Sequence, residues 1–178
     1  MPETGSYQNS EMPYSIEAEQ TILGAILIEP DVMSVVLETV KEECFYVQQH
    51  KALFTIMSNM FTSGEKADAI TVLNAAVGAG IFETPQEGRS YLASLVNLVP
   101  SVSNIESYCK IVVNKYYLRT LSEAARSILT DIASGETDAQ LLLDAAEQRI
   151  YSIRQGRDVS GLVPISQIVG DTYNNIGD

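Results

Sequence analysis

Between Pro100 and Gly135 the chain contains neither glycine nor proline, and nothing else in it restricts the fold so strongly. Ser103-Asn104-Ile105-Glu106 opens this run with the Ser-x-x-Glu pattern of a capping box, in which hydroxyl and carboxylate satisfy the free amides of a helix start. The run permits one helix of about 31 residues, roughly 45 Å long at 1.5 Å per residue. Thr137-Asp138-Ala139-Gln140 supplies a second box, and Ala139, Leu142, Leu143, Ala146, Ile150 and Ile153 follow it on one stripe that ends near Gly156. Two helices joined by so short a turn fold back on each other, so residues 104–156 are predicted to form an antiparallel helical hairpin. The second helix, about 18 residues by its start and stop signals, covers only part of the first. Ile128, Leu129, Ile132, Leu141 and Leu142 then belong to an apolar stripe that two thin helices do not bury, which points to a second copy as its cover. The plainer alternative is that the hairpin packs on the helices before it.

Those earlier helices are predicted for residues 13–103, after a polar tail at 1–12 that shows no periodicity. Ser15 can cap a first helix carrying Ile16, Ile22, Leu23, Ile26 and Leu27, stopped by Pro30. Asp31 can cap a second, with Val32, Val35, Val36 and Val40 at helical spacing, although so many β-branched residues also suit a strand. A third carries Leu53, Phe54, Ile56, Met57, Met60 and Phe61 and ends at Gly64; a fourth runs from about Ala69 to Val77, and a fifth from about Gln86 to Val96. Gly78-Ala79-Gly80 follows a helix rather than a strand and lacks a third glycine, so it closes a helix and does not cradle phosphate. The fold class is therefore all-α, a five-helix head with a hairpin attached. After Gly156, residues 157–178 read as a polar linker and the start of an amphipathic helix with Ile165, Ile168, Val169 and Tyr173 on one face.

Charge limits what such a domain can grip. The net charge is −12; residues 1–100 hold 13 acids against four Lys/Arg, and residues 101–178 hold ten against seven. A surface this acidic repels phosphate backbones and lacks the basic stripe of a nucleic-acid interface. No apolar run approaches the roughly 20 residues that cross a bilayer. The acidic amino terminus is not a signal peptide, and Cys44 and Cys109 have no spacing that implies a disulfide scaffold or metal site, so a cytoplasmic protein is expected. The chain has no catalytic signature, and its single histidine, His50, lies among apolar helix positions where a hydrogen-bonded structural role is expected. Tyr91, Tyr108, Tyr116, Tyr117 and Tyr151 read as amphipathic packing rather than a platform for single strands. The chain thus reads as a binding and assembly module without cofactor, metal or catalytic residues.

The order of these features resembles one family. Pro13-Tyr14-Ser15-Ile16-Glu17-Ala18-Glu19-Gln20, followed by Ile22-Leu23-Gly24-Ala25-Ile26-Leu27, is similar to the opening helix of DnaB-type replicative DNA helicases. Phe45, Tyr46, His50 and Phe54 match its next landmark, and Asp68, Thr71, Val72 and Leu73 the one after. Gly88, Tyr91, Leu92 and Leu95 match a Gly-x-x-Tyr-Leu-x-x-Leu signature, and Pro100, Asn104, Tyr108 and Arg119 fall where the family has them. One departure is Glu87, where the family often carries a first glycine before that signature. The other is that no phosphate-loop sequence occurs, so the ATPase motor, with its ATP and magnesium, is expected to lie outside this chain.

The resemblance implies the amino-terminal collar of a hexameric helicase that moves 5′ to 3′ on single-stranded DNA. It implies self-association through the hairpin, as a trimer of dimers in the full ring, and recruitment of primase through that protein's carboxy-terminal helical domain. A helicase loader is a further implied partner, and the helix after the linker would dock on a neighbouring motor. DNA would be engaged only through the parent hexamer. Glu17, in the exposed first turn of the first helix, and Tyr91, a rigid face with a polar tip, are the expected primase contacts. The competing reading is a free-standing helical adaptor without a motor.

Overall fold

The structure is a computed structural model that describes residues 12–158. Among these residues there is no strand; seven α-helices and three 3-10 turns follow one another. The chain divides into two compact units, one up to Arg119 and one from Thr120 onward.

The first unit holds five helices and the opening of a sixth. α1 (Ile16–Ile28) starts as predicted, with the Ser15 hydroxyl accepting from the Ala18 amide at 3.3 Å. Ile22, Leu23, Ala25 and Ile26 are completely buried in it. Gly24 is what lets α1 lie against α5 (Pro85–Leu98): a Cβ there would stand 2.2 Å from the Leu95 carbonyl oxygen. The second helix departs from expectation. Pro30 begins a 3-10 turn (Pro30–Val32), and α2 (Met33–Leu37) is a five-residue helix in which Asp31 caps nothing. Proline fixes φ and offers no amide, so the chain enters a tight turn before it can wind an α-helix. Of the expected stripe Val36 and Val40 are buried and Val32 and Val35 only partly so, while Met33, outside that stripe, is buried as well.

α3 (Gln48–Thr62) buries Leu53, Phe54 and Met57 and closes at Gly64, whose φ of +78° lets the Glu65 amide return to the Met60 carbonyl at 2.8 Å. α4 (Ala69–Gly78) is capped by Asp68 and closes the same way at Gly80, φ +74°. Gly78-Ala79-Gly80 is thus a helix stop. α5 begins with a reciprocal cap absent from the sequence reading: Thr84 accepts from the Glu87 amide at 3.1 Å, while the Glu87 carboxylate accepts from the Glu83 amide at 3.0 Å. Glu87, the departure from the family pattern, stabilises a helix start.

α6 (Ile105–Ala133) follows a 3-10 turn (Val102–Asn104) whose cap is Ser101 rather than Ser103, so the predicted box at Ser103–Glu106 does not form. Ser103 lies inside that turn and pairs with the Ser101 hydroxyl at 2.7 Å. Ile105, Cys109 and Val112 are part of the same buried cluster as Ile22 and Phe54. The compact head therefore extends to Arg119, beyond the boundary at 103 expected from sequence.

The second unit holds the rest of α6, a turn containing Gly135 at φ +93°, and α7 (Ala139–Asp158). Asp138 caps α7, its carboxylate accepting from the Gln140 amide at 2.9 Å. Thr137 was the expected cap; Gln140 instead donates to Asp144, four residues along its own helix. Arg149 and Asp131 form an ion pair between the helices. Ile165, Ile168, Val169 and Tyr173, and the tail apart from Met12, lie outside the described residues.

Candidate interaction surfaces

The chemistry-bearing residues of the head are turned inward. Glu19, 1% exposed, accepts from the Tyr46 amide at 2.7 Å and the Val47 amide at 3.3 Å, and pairs with His50 Nδ1 at 2.7 Å. His50 Nε2 lies 2.6 Å from the Tyr91 hydroxyl. A carboxylate only accepts, so Nδ1 carries a proton towards Glu19, and the Tyr91 hydroxyl completes the chain with a hydrogen bond at Nε2. The order carboxylate, imidazole, hydroxyl has the form of a catalytic relay, but burial pushes the Tyr91 phenol above its usual range, opposite to what an activated nucleophile requires. The chain of bonds ties α1, α3 and α5 together, as expected of a structural His50. Phe82 packs on the Tyr91 ring, with centroids 5.8 Å apart.

Arg119 is the head's buried cation. Its guanidinium donates to the Pro13 and Cys44 carbonyls, each at 2.8 Å, and lies over the Tyr46 and Tyr116 rings at 5.4 and 5.9 Å. Tyr14 stacks on the Tyr46 ring, with centroids 4.5 Å apart. The forked donor thus fastens the segment before α1 to the head. Burial raises the Cys44 thiol pKa and pushes that of Cys109 up to about 12, so neither is a nucleophile at neutral pH. Among the described residues no cluster could hold a metal, and no helix is long and apolar enough to cross a membrane.

Of the two expected contact residues, Glu17 is exposed on the first turn of α1. Tyr91 is half-buried with its hydroxyl engaged by His50, which leaves the ring rather than the polar tip for a partner.

The hairpin is the opposite of the head. Leu129 is 67% exposed, and Ile132 and Leu141 are each 56% exposed. Ile128 and Leu142, predicted on the same outer stripe, are half-buried instead. Helical spacing sets them on the same helix faces as Asp131 and Arg149, the pair that joins the two helices at their seam, together with Ala124, Ser127 and Ala146. Leu121, Leu143 and Tyr151 are exposed as well, and the sequence reading did not single them out for the interface. At about 100° per residue, Leu121, Ala125 and Ile132 lie roughly 100° round α6 from the seam. Leu143 and Ile150 lie a similar angle, about 70–90°, round α7 in the same rotational sense. Because the two helices run in opposite directions, both rotations lead to the same flank. The hairpin therefore gathers its exposed apolar residues on one side, and a trough of about 710 Å³ runs along its α7 half, where Leu143, Ile150 and Tyr151 alternate with Glu147 and Arg154.

Comparison with known proteins agrees with this architecture. The replicative DNA helicase DnaC of Bacillus subtilis is 34% identical over 164 residues, which are 92% of this chain but 36% of that protein. The chain thus spans about a third of that relative's length. The crystal structure of the N-terminal domain of DnaB helicase from Mycobacterium tuberculosis is similar with a TM-score of 0.72 at 30% identity, over 80% of this chain and 99% of that one. A DnaB-like replicative helicase, described together with its interactions with primase, shares the fold with a TM-score of 0.61 at 20% identity, over 84% of this chain and 36% of that one. Residues 11–114, more than half of the chain, match the DnaB-like helicase N-terminal domain, and the chain belongs to that family.

Proposed function

We propose that this domain is the assembly and recruitment collar of a replicative helicase. The observation that carries this reading is the set of exposed apolar residues on one flank of the hairpin, Leu121, Leu129, Ile132, Leu143 and Tyr151, which has no cover within its own unit. Isolated exposed leucines are ordinary on a protein surface, but several gathered on one flank of a two-helix unit support an interface. A second copy covers it, and the parent ring repeats that contact as a trimer of dimers. Primase, whose helical carboxy-terminal domain is the proposed partner, docks on the outer face of the head, with Glu17 and the ring of Tyr91 among its contacts. A loader and the cytoplasmic replisome complete the setting. ATP hydrolysis with magnesium and 5′ to 3′ unwinding belong to the parent protein's motor, not to the residues described.

Light scattering on the purified chain, alone and with the primase domain, tests the reading. The expected results are a dimer at low micromolar concentration and a complex that Glu17→Ala weakens without changing dimer size. Leu129→Asp should yield monomers, because a charge in an apolar seam costs several kcal/mol. A wild-type monomer that ignores primase overturns the proposal. Strong binding of single-stranded DNA at physiological salt would also contradict it, given a net charge of −12.

A further inference from the structure

The two halves of the hairpin's flank are not alike, and the difference selects one way for two copies to meet. On α6 the flank shows Leu121, Ala125, Leu129 and Ile132 without a charged side chain. On α7 the flank runs Leu143, Glu147, Ile150 and Arg154, at offsets 0, 4, 7 and 11. Glu147 and Arg154 are exposed, lie in the same trough as Ile150 and Tyr151, and take part in none of the ion pairs of the described residues. Seven residues apart, they are separated by about 10 Å along the helix, too far to neutralise each other within one copy.

Two copies of such a flank can stack about a two-fold axis in two ways. With the axis along the helices, α6 of each copy covers α7 of the other, and Glu147 and Arg154 both land on leucines and alanine with no opposite charge. With the axis across the helices, α7 covers α7 antiparallel and α6 covers α6. A two-fold centred between Ile150 and Tyr151 then sets Ile150 of one copy against Tyr151 of the other. The same operation sets Glu147 of each copy against Arg154 of its mate, because both pairs have the same midpoint. The Asp131–Arg149 pair brings the stretch of α6 around Leu129 to this level, so the Leu129–Ile132 stretch of one copy faces the same stretch of the other. Burying two unpaired charges is far costlier than burying them as pairs, so only the second arrangement leaves the flank satisfied.

We propose that the chain self-associates in this crosswise register, with two Glu147–Arg154 pairs bracketing an Ile150–Tyr151 centre. This rests on the self-association read above and adds its geometry. Sedimentation equilibrium on the full chain tests it with Glu147→Arg, Arg154→Glu, the double variant, and an equimolar mixture of the two single variants. Each single variant alone places like charges together and should raise the dimer dissociation constant by about tenfold or more. The mixture and the double variant both restore opposite charges, and each should return to within about threefold of wild type. Recovery in the mixture also shows that the single variants are folded. Single variants that dimerise as well as wild type, or a double variant and mixture as weak as the singles, overturn the register while self-association stands. A wild-type chain that remains monomeric overturns both.

Discussion

In the head, Ile22, Leu23, Ile26, Leu53 and Met57 are completely buried, whereas in the hairpin Leu129, Ile132, Leu141, Leu143 and Tyr151 are each more than half exposed. Both regions are helical and both spend their large apolar residues at helical spacing, so composition does not separate them. Geometry does. Several helices and turns surround the head's core, and each contributes a stripe that another element covers. The hairpin has two helices, and the facing sides hold only a few large apolar residues such as Ile128 and Leu142 among small or polar ones, Ala124, Ser127, Asp131, Ala146 and Arg149. Its bulk faces outward. The head holds itself together; the hairpin is completed from outside.

The contrast is broken most forcefully at Glu19. Glu19→Ala removes the acceptor for two loop amides and for the buried His50 ring in a single change. A loss of about 3–5 kcal/mol in urea unfolding is expected, the magnitude for stripping one partner from a buried ionic group. If the variant instead unfolds within about 1 kcal/mol of wild type, water replaces the carboxylate and the polar chain does not hold the helices together.

Gly24→Ala should come next, at about 1–3 kcal/mol, because the added methyl would meet α5 backbone rather than a side chain that can swing away. Gly88 offers the internal control. A Cβ there would meet the Leu73 and Phe82 side chains, at 2.6 and 2.8 Å, and those can move. Gly88→Ala is therefore expected to cost less than Gly24→Ala in the same denaturation assay, and the reverse order would mean that the α1–α5 contact is not the rigid one.

The all-α class, the hairpin and most helix spans were legible because hydrophobic spacing, glycine stops and the long run without breakers act locally. Helix starts were less so. Ser101 and Ser103, or Thr137 and Asp138, are both competent caps two residues or one apart, and the choice depends on how the preceding chain enters. Partnerships across the fold were illegible. His50 was expected to be hydrogen-bonded, but its partners stand 31 and 41 residues away. Glu17 and Glu19 look equivalent in sequence, yet two residues turn a helix by about 200°, which puts one in solvent and the other in the core. Likewise Ile128 and Leu129 differ by about 100° of rotation, enough to send the first to the seam and the second outward.

The smallest expected effect sharpens the comparison most. Leu129 is 67% exposed, so Leu129→Ser takes away almost nothing that the single chain buries, and its unfolding free energy at high dilution should stay within about 0.5 kcal/mol of wild type. At higher concentration the two proteins should diverge. Anything that binds only the folded state stabilises it by mass action, so a wild-type chain that pairs through this flank has a thermal midpoint that climbs with protein concentration. In the serine variant that climb should be reduced, because the apolar area lost is area the second copy would have covered. Thermal scans across about a hundredfold range of concentration separate the possibilities. Parallel slopes for the two proteins would show that the exposed leucine is an ordinary surface residue. A variant already destabilised at the lowest concentration would show that Leu129 is buried within the chain itself, and the division between a closed head and an open hairpin would fall.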